Sequence, residues 1–147
     1  MSPTRDNDAP LPEHTRPATT DDATVAAVGK LSEALETVER ARGRLYDFHQ
    51  LTGSADLALG EAVDELRDAG HADLADRIET ELVGRNVISG RWTFQVVEEY
   101  DDGYYALLRA LEQTVREELL DGRRHIYEAE MKEARRTHGR PGHEPHP

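Results

Sequence analysis

All seven prolines of the chain lie in its two ends. They occupy positions 3, 10, 12, 17, 141, 145 and 147. Proline interrupts a helix because it lacks a backbone N–H and because its ring clashes with the preceding turn. The long proline-free stretch therefore permits long helices, and its apolar residues recur at three- and four-residue steps. The sequence predicts an all-α protein.

The first long helix is predicted over residues 20–51. Threonine and aspartate side chains near residue 20 can cap its start, and the negative charge of the aspartates complements the positive end of the helix dipole. Gly53 and Ser54 follow shortly after. A glycine often ends a helix, and a serine after it often caps the start of the next helix. We therefore expect the first helix to stop at this pair.

A short helical hairpin is predicted next. Its two helices span 55–69 and 72–84, and each ends at a glycine, Gly70 and Gly84, in the position of a C-terminal stop. The segment that follows is apolar for a loop, so we expect its large side chains to pack against the helices. These side chains are Val87, Ile88, Trp92 and Phe94.

The second long helix is predicted over 93–136. Gly103 and Gly122 interrupt its pattern, and a glycine costs a helix interior about 1 kcal/mol relative to alanine. Asp121-Gly122 is the expected kink, since an unbroken helix of this length would exceed the size of a compact domain. Two long helices with a hairpin between them give a four-helix bundle-like domain.

The chain divides by composition into a middle and two ends. The ends are polar and rich in proline, and they lack the apolar side chains that offset the entropy of ordering. We expect a disordered N-terminal tail over 1–19 and a disordered, His- and Pro-rich C-terminal tail over 138–147. Residues 20–137 are predicted to form a single helical domain.

Composition excludes several classes of function. The chain has no cysteine, which rules out disulfides, thiolate metal sites and cysteine nucleophiles and fits a reducing compartment. Its net charge of -12 repels phosphate backbones, so nucleic acid is not an expected partner. No apolar run is long enough to span a bilayer, and no signal segment is visible. We expect a soluble, acidic, cytoplasmic protein.

Polar residues fall on the core-facing seams of both long helices. If the two helices pack together in a bundle, these positions would bring opposite charges together in its interior. Such a buried polar cluster has two interpretations. One is a pocket with a histidine base or ligand. The other is an ion pair that fixes helix register. The candidates for this buried polar cluster are Arg42, His49, Asp101, Tyr104, Glu118 and His125.

The start of the second long helix carries several carboxylates. Glu98, Asp101 and Asp102 lie within one turn and could hold a hard cation, or they could form a solvated face that the helix dipole favours. His125-x-x-Glu128 reverses the Glu-x-x-His order of carboxylate-bridged metal bundles. No cofactor is predicted, and a metal ion at these five residues is the alternative.

The second long helix is acidic at its start and basic toward its end. Two antiparallel copies would pair opposite charges, as a C2 dimer requires, although the helix dipole favours the same polarity in any isolated helix. Trp92 is either an interface anchor or a plug over the edge of the core. The interface candidates are Trp92, Arg123, Arg124, Arg135 and Arg136.

The sequence contains none of the common phosphate-binding, nucleophile or zinc-protease motifs. Its abundant amphipathic helix favours a non-enzymatic protein-interaction or scaffold module that acts as a homo-oligomer, most simply a homodimer. The alternative is a helical bundle that binds a metal or small molecule, possibly an enzyme, through the His/carboxylate/Arg cluster. A third hypothesis is that the arginine-rich end binds an acidic protein partner.

Overall fold

A computed structural model describes residues 8–147 of the chain. Within that range the structure is helical and contains no β-strand, which confirms the predicted all-α class. None of the described helices combines the length and the apolar character that crossing a membrane requires. In chain order the helices are α1 Asp22–Asp68, α2 Ala72–Glu81, α3 Thr93–Tyr100, a π-helical segment Asp101–Tyr105, α4 Ala106–Leu120 and α5 Ile126–Arg135.

Helix α1 is a single helix of 47 residues. It passes through Gly53 and Ser54 without interruption, so the predicted end at residue 51 is wrong and the predicted helix over 55–69 is the last part of α1. A helical glycine costs only about 1 kcal/mol, which is less than the several backbone hydrogen bonds that a break would remove. The helix ends where Gly70 adopts a φ of 88°, as expected for a C-terminal stop.

The predicted kink at Gly122 is confirmed and is a complete break. Asp121 and Gly122 have φ values of 53° and 75°, both in the left-handed region, and α5 begins only at Ile126. The Gly122 N–H donates to the carbonyl oxygen of Arg116 at 2.9 Å, which closes the end of α4. The second predicted interruption, Gly103, lies in the π-helical segment between α3 and α4.

The contacts of the chain group into two compact units. Unit 1 comprises Met1–Thr37 and Ala106–Pro147, and unit 2 comprises Val38–Tyr105. Each unit is described here by itself, and α1 supplies residues to both. Our expectation that 20–137 form one domain stays a prediction.

The core of unit 1 is a small apolar cluster. Val25 and Val28 of α1 pack with Leu120, the last residue of α4, and Ile126, the first of α5, and Val115 packs against them. Each of the first four side chains is buried. The break at Gly122 lets Leu120 and Ile126 enter the same cluster.

Ionic contacts hold the N-terminal segment in unit 1. Arg16 donates two hydrogen bonds to the Glu130 carboxylate and one to Asp22, and Arg136 donates to Asp8. Arg123 donates to the carbonyl oxygen of Thr15. The structure thus gives described residues of the predicted tails specific partners, whereas residues 1–7 of the predicted disordered segment lie outside the described residues.

Unit 2 is built on the second half of α1, α2 and α3. Its buried apolar side chains are Val63, Ala75 and Val97. Arg67 near the end of α1 pairs with Asp76 and Glu79 of α2, which ties the hairpin together.

The connector between α2 and α3 does not pack as predicted. Val87 and Trp92 are more than half exposed and Phe94 is 41% exposed, and only Ile88 is half-buried. Two close glycines, Gly84 and Gly90, give this segment a local turn, so its apolar residues lie on the surface of unit 2.

Gly29 of α1 marks the closest approach of α1 to α5. A Cβ atom there would lie 2.9 Å from Cβ of Tyr127, so Gly29→Ala should destabilise the protein by about 1–3 kcal/mol, since the clash is with atoms close to the backbone. Gly43, also in α1, has no atom within 4 Å of such a Cβ, so Gly43→Ala should stabilise by up to about 1 kcal/mol. Urea unfolding of both variants measures the difference, and a stabilising Gly29→Ala would contradict the close contact.

Candidate functional site

The two units divide the predicted buried polar cluster between them. Arg42, His49, Asp101 and Tyr104 belong to unit 2, whereas Glu118 and His125 belong to unit 1. Glu118 and His125 are exposed, and Tyr104 is 61% exposed with its ring beside that of Tyr100. The cluster that the structure does assemble is smaller than the predicted one.

Arg42 and Asp101, two members of the predicted cluster, form an ion pair. The guanidinium donates from Nε at 2.7 Å and from Nη2 at 3.0 Å to the two carboxylate oxygens, which is the bidentate geometry of a strong pair. The hydrogen bonds from Arg42 lower the pKa of Asp101 below its ordinary value. Because both oxygens of Asp101 are engaged, this residue is a poor metal ligand, and the register-fixing interpretation fits the pair better than a pocket does.

Two tyrosines surround the Arg42 guanidinium. Its central carbon lies 5.7 Å from the ring centroid of Tyr46 and 5.5 Å from that of Tyr105, which are cation–π distances. The Tyr105 hydroxyl donates to Glu39 at 2.6 Å. Asp101 and Tyr105 are the first and last residues of the π-helical segment, so this segment presents both to α1.

His49, another member of the predicted cluster, has a hydroxyl group as its hydrogen-bond partner. Its Nδ1 atom shares a hydrogen bond of 2.7 Å with Oγ1 of Thr93, and its ring makes edge contacts with Tyr46 and Phe94. Without a carboxylate to orient it and raise its basicity, this histidine lacks the partner that a general base usually has.

An open groove of about 670 Å³ lies beside His49 in unit 2. Its apolar wall is formed by Leu59, Leu82, Val87, Trp92 and Phe94. The Trp92 indole N–H donates to Asn86 at 3.1 Å, and its ring centroid lies 5.4 Å from that of Phe94. Trp92 is 55% exposed, so it forms a wall of this groove and not a plug over a buried core.

Helix α4 carries an arrangement that the sequence pattern did not reveal. Glu112 and Arg116 are 6% and 9% exposed, and Arg116 donates to Glu112 at 2.8 Å while Ser32 of α1 donates to the same carboxylate oxygen at 3.1 Å. Meanwhile Leu107 and Leu111 are more than half exposed. The helix therefore buries two charged side chains beside Leu120 and exposes Leu107, Leu111 and Leu119. We define these three exposed leucines as the outward stripe of α4.

The predicted carboxylate metal site does not assemble at Glu98, Asp101 and Asp102. Asp101 is held by Arg42, and Glu98 and Asp102 are exposed. The two other candidates, His125 and Glu128, are brought together, and Glu36 of α1 joins them. In the part of the chain that the structure describes, this is the one group of three or more such residues with converging ligand atoms.

The predicted interface arginines have different environments. Arg124 and Arg135 are exposed, whereas Arg123 is half-buried against the N-terminal segment. Arg136, another of the interface candidates, is buried. Its side chain is 1% exposed because it pairs with Asp8 and Glu133, so it is occupied within unit 1.

Comparison with protein-family models, with curated proteins and with solved structures finds no match to this chain. The chemistry of the described residues is therefore the only guide to function.

The Arg42–Asp101 pair predicts a specific pH dependence. Because the folded pKa of Asp101 is depressed, its contribution to stability is present above the unfolded pKa of 3.8 and is lost as pH falls through the folded pKa. Asp101→Asn should therefore lower the free energy of unfolding at pH 6, and its difference from the wild type should shrink as pH falls below 4.

Urea unfolding at pH 6, 4 and 3 measures this difference. The control is Asp102→Asn in the same π-helical segment, because Asp102 is exposed and should show a small difference that hardly varies with pH. Parallel pH profiles for the wild type and Asp101→Asn would contradict a stabilising ion pair.

Proposed function

We propose that this protein is a non-enzymatic helical interaction module that self-associates through the outward stripe of α4. The observation that carries this proposal is the inverted packing of that helix. A surface helix ordinarily turns its apolar stripe to the core and its charges to water. In α4 Glu112 and Arg116 are buried, and Leu107 and Leu111 face solvent.

The outward stripe is broad enough to be a contact surface. At 3.6 residues per turn its three members span about a third of the helix circumference, and Glu118 is the charged residue within that sector. Leu107, Leu111 and Leu119 are 59%, 52% and 46% exposed. Contiguous exposed apolar side chains of this kind mark interaction surfaces more often than isolated ones do.

The spacing of the stripe favours a second copy of this chain as the partner. Leu107 and Leu119 are equally distant from Gln113 along α4, and Leu111 lies two residues from it. Two antiparallel copies related by a two-fold axis at the height of Gln113 would therefore place Leu107 of each copy against Leu119 of the other and the two Leu111 side chains beside the axis. A C2 interface requires such a self-complementary patch.

The environment of His49 supports binding in preference to catalysis. Its hydrogen-bond partner is the Thr93 hydroxyl, and its ring packs between aromatic side chains. Arg42 and Asp101, which were candidates for the same site, neutralise each other. These contacts stabilise unit 2 and leave its described polar residues without an activated base.

Leu111→Asp should weaken self-association more than tenfold. Each dimer would lose two leucine contacts, each worth about 1.5–3 kcal/mol when fully buried, and would gain two charges at the interface. The substitution is on the surface, so circular dichroism should show an unchanged helix content. Sedimentation velocity over a range of protein concentrations measures the dimer fraction.

Leu74→Asp is the matched control, because Leu74 is 56% exposed and lies on α2 of unit 2. It should self-associate like the wild type. A wild-type protein that stays monomeric at 100 µM or above would overturn the proposal, and a dimer lost only in Leu74→Asp would move the interface to unit 2.

A second candidate function is small-molecule binding in the groove beside His49. Its volume lies within the range of about 300–1,000 Å³ that ligand pockets occupy, and its apolar wall is combined with the polar groups of His49, Arg85 and Asn86. Trp92 is the only tryptophan of the chain and lies in this wall, so its fluorescence reports on occupancy.

The dye 8-anilinonaphthalene-1-sulfonate should bind this groove and accept energy from Trp92. Val87→Asp puts a charge in the wall and should reduce the energy transfer at least fivefold, whereas Leu74→Asp, outside the groove, should leave it unchanged. Equal transfer in both variants would show that the dye binds elsewhere.

A further inference from the structure

Three side chains from two distant parts of the sequence converge on the surface of unit 1. A carboxylate oxygen of Glu36, a ring nitrogen of His125 and a carboxylate oxygen of Glu128 all lie within 4.8 Å of one another. Glu36 comes from α1, His125 directly precedes α5, and Glu128 lies in the first turn of α5. One nitrogen and two oxygen ligands thus meet at one point.

The packing of unit 1 positions these groups. Gly29, Ser32 and Glu36 lie on one face of α1, since they are separated by three and four residues. Gly29 contacts Tyr127 of α5, and Ser32 donates to Glu112 of α4, so this face is held against both helices. This packing therefore fixes the position of Glu36 relative to the start of α5.

His125 directly precedes α5 and has an unusual backbone conformation. It adopts φ 56° and ψ 34°, a left-handed conformation that costs a non-glycine residue about 1–2 kcal/mol. The imidazole makes no capping hydrogen bond to the N-terminus of α5. The ring is thus free to bind a ligand on the side of Glu36 and Glu128.

None of the three side chains has a hydrogen-bond or ion-pair partner among the described residues. This distinguishes them from Asp8, Glu130 and Glu133 of the same unit, each of which pairs with an arginine. Two unpaired carboxylates this close repel each other by about 1 kcal/mol even in water. A cation between them would remove that repulsion.

The spacing suits a small divalent ion. An ion equidistant from three atoms 4.8 Å apart would lie about 2.8 Å from each, whereas Zn²⁺ binds His nitrogen and carboxylate oxygen at about 2.0–2.2 Å. Exposed glutamate side chains can close that difference by rotamer adjustment. A histidine nitrogen among the ligands favours a first-row transition ion over Ca²⁺ or Mg²⁺, which take oxygen ligands.

We propose that Glu36, His125 and Glu128 form a site for a divalent first-row transition-metal ion, with water completing its coordination. The ion links α1 to the start of α5. This proposal is independent of self-association, because its ligands lie outside the outward stripe of α4.

Isothermal titration of the tag-free, chelator-treated full-length protein with Zn²⁺ tests the proposal. We expect one site per chain whose affinity falls at least tenfold in His125→Asn, because asparagine tolerates the left-handed conformation but is a poor zinc ligand. Glu36→Gln, a mild substitution on an exposed helical position, should weaken binding to a similar extent. Mg²⁺ at millimolar concentration should not compete.

The matched control replaces the other histidines that could bind zinc, His138, His143 and His146, with asparagine together. This variant should retain the site. The proposal is overturned if binding follows these three histidines, if His125→Asn and Glu36→Gln both bind like the wild type, or if the wild type binds no Zn²⁺ below about 100 µM.

Discussion

Both units of the structure are built on one unbroken helix, α1. It runs without a break from Asp22 to Asp68, and so one helix supplies the core valines and Glu36 of unit 1 as well as Arg42 and His49 of unit 2. Four helical glycines in it cost about 1 kcal/mol each. At Gly29 that cost is offset by packing, since only a residue without a side chain lets Tyr127 approach.

The buried charges of α4 determine which face of that helix turns to solvent. Glu112 is desolvated, yet it accepts hydrogen bonds from both Arg116 and Ser32, and Arg116 also donates to the carbonyl oxygen of Gly122. A buried pair of this kind adds little net stability, but turning it outward would leave Ser32 without its partner and break the closure of the helix end. The leucines are consequently directed to solvent, which is the physical basis of the proposed self-association.

The sequence predicted what depends on local rules and missed what depends on tertiary contacts. The helical class, the start of α3 at Thr93 and the break at Gly122 followed from helix signals, and seam positions placed Arg42 and Asp101 in one cluster without fixing which residues pair. Gly53 and Gly122 carry the same local cost, yet only the second ends a helix, because only there does a turn bring Ile126 into the cluster with Leu120. Glu36 was not singled out because its closeness to His125 and Glu128 depends on how α1 packs against α5, which the local pattern does not show.

The two proposals for unit 1 make distinct thermodynamic demands on the same helices. An ion held by Glu36, His125 and Glu128 stabilises the folded unit by RT ln(1 + [ion]/Kd), whatever the oligomeric state. Self-association depends instead on apolar contacts of the outward stripe of α4, and none of the three metal ligands belongs to that stripe. Coupling between two sites requires that each ligand bind two conformations with different affinity. The contact of Gly29 with Tyr127 leaves α1 and α5 little room for a second arrangement, so metal binding and dimer formation should act independently.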